Sequence, residues 1–212
     1  PPGANMGQEI DVQATGRLSD EINLEAFVSG RVTDDEFIDR EQRSLESLYL
    51  NLEQRDKVYG LNLGDFYIYF SDYSLSQSLK GLKGYYRVDN SYGDVSLYVF
   101  SGTNKHRWND LWRELDNETY TRYISGARIE QEFKNKTLKL GLNFVDTHDQ
   151  RGSTSTTGNP LRNEIISSDM NLKLLDRLFI RSEIATAFTD TNTSPNSSVK
   201  TKNDSAYKLN TD

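Results

Sequence analysis

Asp146, His148 and Asp149 stand within four residues, and each carries a group that ligates metals. Imidazole suits zinc, and carboxylates suit zinc or calcium. The tetrad Asp146-Thr147-His148-Asp149 has no spaced partner and opens a Ser/Thr-rich stretch, so it reads as a solvated loop and no metal is assigned to it. His106 stands alone among charged residues and reads the same way. Asp34, Asp35, Glu36, Asp39 and Glu41 form a second acidic group. A calcium loop needs a central glycine and a glutamate at its twelfth position, and this run has neither at that spacing, so it reads as a wet acidic loop. Trp108 and Trp112 are four residues apart, and with Leu111 and Leu115 they would share one face of a short helix. Such rings serve as a ligand platform or a loop folded into a pore. The ordinary reading is a loop packed on a rim, with the rings as interfacial anchors.

Catalytic motifs are missing. The sequence has no glycine-rich phosphate loop, no HExxH and no G-x-S-x-G. It has two histidines, both in loop-like stretches, which disfavours a Ser-His-Asp arrangement. Paired acids for glycoside hydrolysis leave no trace in spacing and stay open. On these grounds no catalytic residue, no cofactor and no enzyme activity is expected.

The largest set of polar side chains is periodic. Asp11, Arg17, Glu25, Lys83, Arg87, Arg128, Glu130, Lys139, Arg181 and Glu183 each fall on the polar parity of an alternating run. Leu138, Leu140, Leu142 and Phe144 oppose Thr137, Lys139, Gly141 and Asn143, and Val95, Leu97 and Val99 oppose Ser96, Tyr98 and Phe100. Period-two alternation is the signature of a strand with one apolar and one wet face. In a barrel the charged set would line a wet lumen. In a soluble sandwich it would be the outer surface, and alternation alone leaves both open.

Composition narrows the choice. The 212 residues hold 32 acidic and 25 basic side chains, a net charge of −7, which argues against nucleic acid as a partner. Only 35% are hydrophobic and mean hydropathy is −0.73. That suits long polar loops and one-sided strands. Twelve Tyr and nine Phe favour strands over helices. Without cysteine there are no disulfides, thiolate metal sites or covalent haem. No run of about 18 apolar residues occurs, so no transmembrane helix is expected. The opening PPGANMGQEI lacks a signal pattern, which fits a removed signal or an internal fragment.

About ten strands follow from the alternation, with an eleventh beginning near Ser205–Leu209. Short turns fall near residues 19, 54, 91, 135 and 176, and long segments near 31–43, 71–80, 102–122, 146–163 and 189–204. Turns that alternate short and long describe an up-and-down meander with all long loops at one end, as in transmembrane β-barrels. In the run Lys57–Phe70, Leu61 and Leu63 share one parity, while Phe66, Ile68 and Phe70 share the other. A β-bulge at Gly64-Asp65 is expected to restore a single apolar face.

Within Gly60–Val88, Leu63-Gly64-Asp65-Phe66, Ser74-Leu75 and Leu79-Lys80-Gly81-Leu82-Lys83-Gly84 resemble the early barrel region of large bacterial outer-membrane β-barrels. The type is that of uncharacterised Bacteroidetes barrels, and the wording loosely resembles the giant translocon barrel of the type IX secretion system. As a strand pattern the resemblance covers about residues 8–145, and as wording about 25 residues. It implies an outer-membrane location, the lipid bilayer as partner, other envelope proteins as further partners, and no nucleic acid.

The expected fold is all-β: an antiparallel up-and-down meander over residues 8–212 after a short tail, forming a transmembrane β-barrel or part of a larger one. The absence of a terminal aromatic after Tyr207 points to part of a larger barrel. The expected function is a non-catalytic porin, channel or translocation scaffold. The alternative is a soluble antiparallel β-protein of the envelope that binds glycans or proteins, or a β-rich subunit of an envelope assembly.

Overall fold

The computed structural model describes residues 7–33, 43–104, 120–134, 136–150, 153, 159–174, 178–193 and 201–211. The strands are β1 (Gly7–Arg17), β2 (Ile22–Thr33), β3 (Arg43–Gln54), β4 (Tyr59–Ser71), β5 (Leu75–Asn90), β6 (Gly93–Thr103), β7 (Arg122–Phe133), β8 (Leu138–Asp149), β9 (Arg162–Leu174), β10 (Leu178–Asp190) and β11 (Thr201–Thr211). They form one eleven-stranded sheet in sequence order. Every neighbouring pair is antiparallel. The all-β meander read from the alternation is therefore the fold, and no helix lies among the described residues.

The tight turns use local chemistry. Asn90 Oδ1 accepts from the backbone N–H of Tyr92 and Gly93, an Asx-type turn that starts β6. Gly93 sits at φ +139°, where a side chain would be strained.

Several boundaries differ from the sequence reading. The segment 71–80 is not a long loop, because β5 starts at Leu75 and only residues 72–74 turn. β8 runs through Asp149, so the tetrad at 146–149 is strand rather than solvated loop. β10 reaches Asp190 and β11 begins at Thr201. Ladder hydrogen bonds continue past the apolar run, so polar residues extend strands without adding an alternation signal.

The bulge expected at Gly64-Asp65 is also corrected. Pairing with β5 runs unbroken through Gly64↔Gly81, Asp65↔Lys80 and Phe66↔Leu79, and the register shift comes later, between Tyr69 and Ser71. The parity switch is real and is kept. Leu61 and Leu63 are exposed on the outer face, whereas Phe66, Ile68 and Phe70 are buried on the inner one.

A row of glycines explains how. Gly64, Gly81 and Gly102 are direct cross-strand neighbours on β4, β5 and β6. A Cβ at Gly64 would lie 2.0 Å from Leu48 O, and one at Gly81 would lie 2.1 Å from Ser101 O. Only glycine permits that backbone approach, and glycines placed this way let a sheet bend sharply. β3 pairs with β4 only from Tyr49↔Gly64 to Glu53↔Gly60. Past the glycine row the β4–β5 hairpin leaves β3. Leu48 N–H then donates to Asp65 Oδ2 at 2.7 Å in place of a ladder partner, and Lys80 pairs with Asp65. The hairpin turns inward and brings Phe66, Ile68, Phe70, Leu75 and Leu79 onto Phe100, Ile124 and Val145. Phe70 and Phe100 meet edge to face at 5.3 Å. This small core lies inside the curled sheet.

Candidate functional site: the polar concave face

Curling the sheet brings together polar groups from strands that do not pair. Arg128 on β7 is at the centre and buried. Its Nε donates to Glu130 Oε2 (3.0 Å), its Nη1 to Asn143 Oδ1 (2.7 Å) and Asp169 Oδ2 (2.5 Å), and its Nη2 to Asp169 Oδ1 (2.9 Å) and Glu130 Oε2 (3.0 Å). A guanidinium has five N–H donors, and these bonds occupy all of them. Gly141 makes the room, since a Cβ there would lie 2.5 Å from Arg128 Nη2. Lys139 closes the second oxygen of Glu130 at 2.7 Å.

The network continues into the β4–β5 turn. Asn143 Nδ2 donates to Ser167 Oγ at 2.9 Å. Ser74 and Ser167 share a hydroxyl hydrogen bond. Ser71 Oγ lies 2.6 Å from both Ser74 Oγ and Glu183 Oε1. Tyr73 N–H donates to Glu183 at 3.2 Å. Lys208 on β11 reaches Asp72 in the same turn. Lys208 and then the Tyr69 hydroxyl, both hydrogen-bonded to Asp72, hold its carboxyl below the usual carboxylate range. The turn is thus fastened to the far wall by β9, β10 and β11.

A cavity of about 800 Å³ adjoins this network. Tyr85 and Tyr98 lie on its wall with ring centroids 6.2 Å apart, and the Tyr85 hydroxyl donates to Glu53 at 2.7 Å. Lys83 projects in beside Asn62, with its ammonium 5.5 Å from the Phe66 ring centre.

Of the charged residues singled out by alternation, Lys83, Arg128, Glu130, Lys139, Arg181 and Glu183 line this one cavity. Glu25 sits elsewhere and accepts from Tyr49 Oη at 2.9 Å. Arg17 and Arg87 are exposed and do not line it. Asp11 is exposed on β1. Trp108, Trp112, His106 and the acidic run at 34–41 lie outside the described residues. In the tetrad, Asp146 holds Arg162 at 3.0 Å and His148 at 3.2 Å, and buried Asp149 holds Arg122 at 2.7 Å. These carboxylates are engaged by arginines on two separate sites. The alternation missed Ser71 and Ser74, because residues 71–80 read as loop, and it did not single out Asn143, Ser167 and Asp169. Parity alone placed Asn143 and Asp169 on the correct face.

No family model matches the sequence, and no curated protein matches it. Among solved structures the fold is similar to OmpT, an outer membrane protein of Vibrio cholerae. The in-vitro folded form aligns at 11% identity with a TM-score of 0.43, over 97% of this chain and 79% of that one. Its loop L8 deletion mutant aligns at 11% identity with a TM-score of 0.44, over 95% and 78%. A likeness at this level carries no argument about activity. The expectation that the chain is not an enzyme is nevertheless withdrawn. It rested on missing motifs and on resemblance to a barrel type. The fold instead gathers three serine hydroxyls, an amide, an arginine and several carboxylates from distant segments onto one concave face beside a cavity. Convergence in space needs no motif in sequence, so missing motifs do not exclude chemistry here.

Proposed function

We propose that the chain forms part of the wall of an outer-membrane β-barrel, of the large-barrel type that its Gly60–Val88 wording resembles, and that it acts as a channel or translocation scaffold. The inward β4–β5 turn is its constriction, and the charged concave face is its wet lining.

One observation carries the reading. Tyr59, Tyr86, Leu97, Ile129, Leu142, Ser168, Ile184 and Tyr207 are successive cross-strand partners from β4 to β11. Seven of these eight are large apolar or aromatic side chains, each exposed on the outer face. An apolar row of that extent, broken at Ser168, marks an interaction surface, and its place opposite a charged inner face supports the polarity of a membrane barrel.

The test is reconstitution into planar lipid bilayers. Discrete conductance steps are expected from the wild type and larger ones from Glu183→Ala, which frees the turn. A chain that stays a monodisperse monomer in water without detergent would overturn the reading.

A further inference from the structure

We propose that the β3–β6 side of the cavity is a saccharide subsite, and that it takes a neutral oligosaccharide in preference to a charged one. The proposal rests on the reading above in treating the cavity as part of the wet lumen, and it names what that lumen selects.

The subsite is two rows of side chains on one face of the wall. Glu53, Gly60, Tyr85 and Tyr98 are successive cross-strand partners on β3, β4, β5 and β6. Asn51, Asn62 and Lys83 form the neighbouring row, each two residues along its strand from the first. A spacing of two keeps both rows on one face, and both line the cavity.

Gly60 seats an aromatic platform. A Cβ there would lie 2.4 Å from Tyr85 Cε1 and 2.9 Å from its Cζ, so the ring occupies the place where a side chain would stand. Glu53 holds the Tyr85 hydroxyl at 2.7 Å, and the Tyr98 ring lies 6.2 Å away, tilted by 37°. Tyr85 is thus fixed by its ring edge and its hydroxyl, and it is half-buried on the cavity wall. A ring seated in advance loses little freedom on binding, and its apolar surface matches the C–H face of a sugar ring.

The second row supplies hydrogen bonds. Sugar hydroxyls donate and accept, and so does a carboxamide. Asn62 Oδ1 is buried with no hydrogen-bond partner among the described residues, a costly state for an acceptor. Asn62 lines the cavity, so turning its amide about the terminal bond brings that oxygen to a ligand hydroxyl. Lys83 uses one of its three N–H donors on Tyr67 O at 3.2 Å, and the others suit a sugar oxygen.

Charge balance sets the preference. Five acidic and five basic side chains line the cavity among the described residues. A charged ligand meets both signs in equal number, so it gains no net attraction for the cost of shedding its water. A neutral polyol sheds less and hydrogen-bonds to either sign. The cavity of about 800 Å³ lies within the range of about 300–1,000 Å³ usual for small-molecule sites.

Isothermal titration calorimetry on the full chain, in micelles of a sugar-free zwitterionic detergent, tests the proposal. The probes are neutral trisaccharides of glucose, mannose, galactose or xylose, with trigalacturonate and the glucosamine trimer as charged counterparts. At least one neutral trisaccharide is expected to bind, and to bind more tightly than both charged ones. Tyr85→Ala is expected to weaken that binding by about tenfold. Gly60→Ala leaves the ligand untouched, but its methyl displaces the Tyr85 ring, a movable side-chain end, so a loss in the same direction is expected. Tyr85→Phe keeps the ring without the hold of Glu53 and is expected to fall between Tyr85→Ala and wild type. No binding by any neutral trisaccharide overturns the proposal. So does tighter binding of a charged one, or unchanged affinity in Tyr85→Ala. Conductance without saccharide binding leaves the channel reading standing and removes this one. Saccharide binding that needs Tyr85, without conductance, keeps this site and removes the channel.

Discussion

Arg128 is the residue on which the concave face depends. It is buried with all five donors used, and its removal leaves Glu130 and Asp169 facing each other with little water. Breaking a buried ion pair from one side costs about 3–5 kcal/mol, because a charge is left uncompensated. Arg128→Ala is expected to lower unfolding stability by about that amount in urea titration. Arg128→Lys keeps the charge but loses the planar fork, so an intermediate loss is expected. Asp72 behaves differently because it is half exposed. Its carboxyl titrates below the ordinary range, since Lys208 and Tyr69 favour the charged form. A folded-state pKa that is depressed contributes stability above the unfolded value and loses it as pH falls through the lowered one. The turn anchor is thus intact at neutral pH and released only in strong acid. Amide exchange at Tyr73, whose N–H is held by Glu183, is expected to speed up under those conditions, and Asp72→Asn is expected to reproduce the effect at neutral pH. Unchanged Tyr73 protection in Asp72→Asn would separate the Lys208 contact from the turn's seating.

The glycine row decides where the β4–β5 hairpin goes. Gly81→Val would place side-chain atoms against Ser101 O, which has no room even for a Cβ. The hairpin is expected to swing out of the interior, exposing Leu75 and Leu79 and breaking the Ser74–Ser167 contact. Thiol labelling of Ser74→Cys reads this directly: slow in an otherwise unchanged chain and fast when Gly81→Val is added. Equal labelling rates would show that the bend survives without the glycine. This hairpin also marks the limit of what the sequence conveys. Ten strands and their faces were legible because alternation is a local property, and Leu138–Phe144 needs no distant information. The parity switch at Gly64 was legible as well, but its meaning was not. A bulge would return Phe66 to the face of Leu63, whereas the unbroken ladder leaves them on opposite faces, and only the position of the β8–β10 wall gives the second apolar face something to bury against. For the same reason Ser71 and Ser74 gave no sign. Their partners Ser167 and Glu183 lie 93 and 112 residues away, and nothing near them in the chain alternates.

For the molecule as a whole, the distribution of apolar surface separates a barrel wall from a soluble sheet. Among the described residues the interior core is small and lies at the inward hairpin, whereas the outer face carries a row of large apolar or aromatic side chains on seven of eight successive strands. Leu142 stands near the middle of β8, between Ile129 and Ser168, and is 60% exposed. In water, an arginine at such a position is nearly neutral, because surface substitutions away from special features change stability by about ±0.5 kcal/mol. In a bilayer the same arginine lies near the midplane and costs about 2–4 kcal/mol. Leu142→Arg is therefore expected to destabilise the vesicle-folded chain by that larger amount in a urea titration. A polar substitution near a strand end, His148→Arg, serves as the control, since the penalty falls towards the interface. A near-zero effect at both positions would mean that lipid does not cover this face. A large effect at 142 with little at 148 would fix both the membrane and the depth of β8 within it. No arrangement of the same residues in water produces that difference, because water solvates an exposed arginine alike at the middle of the strand and near its end.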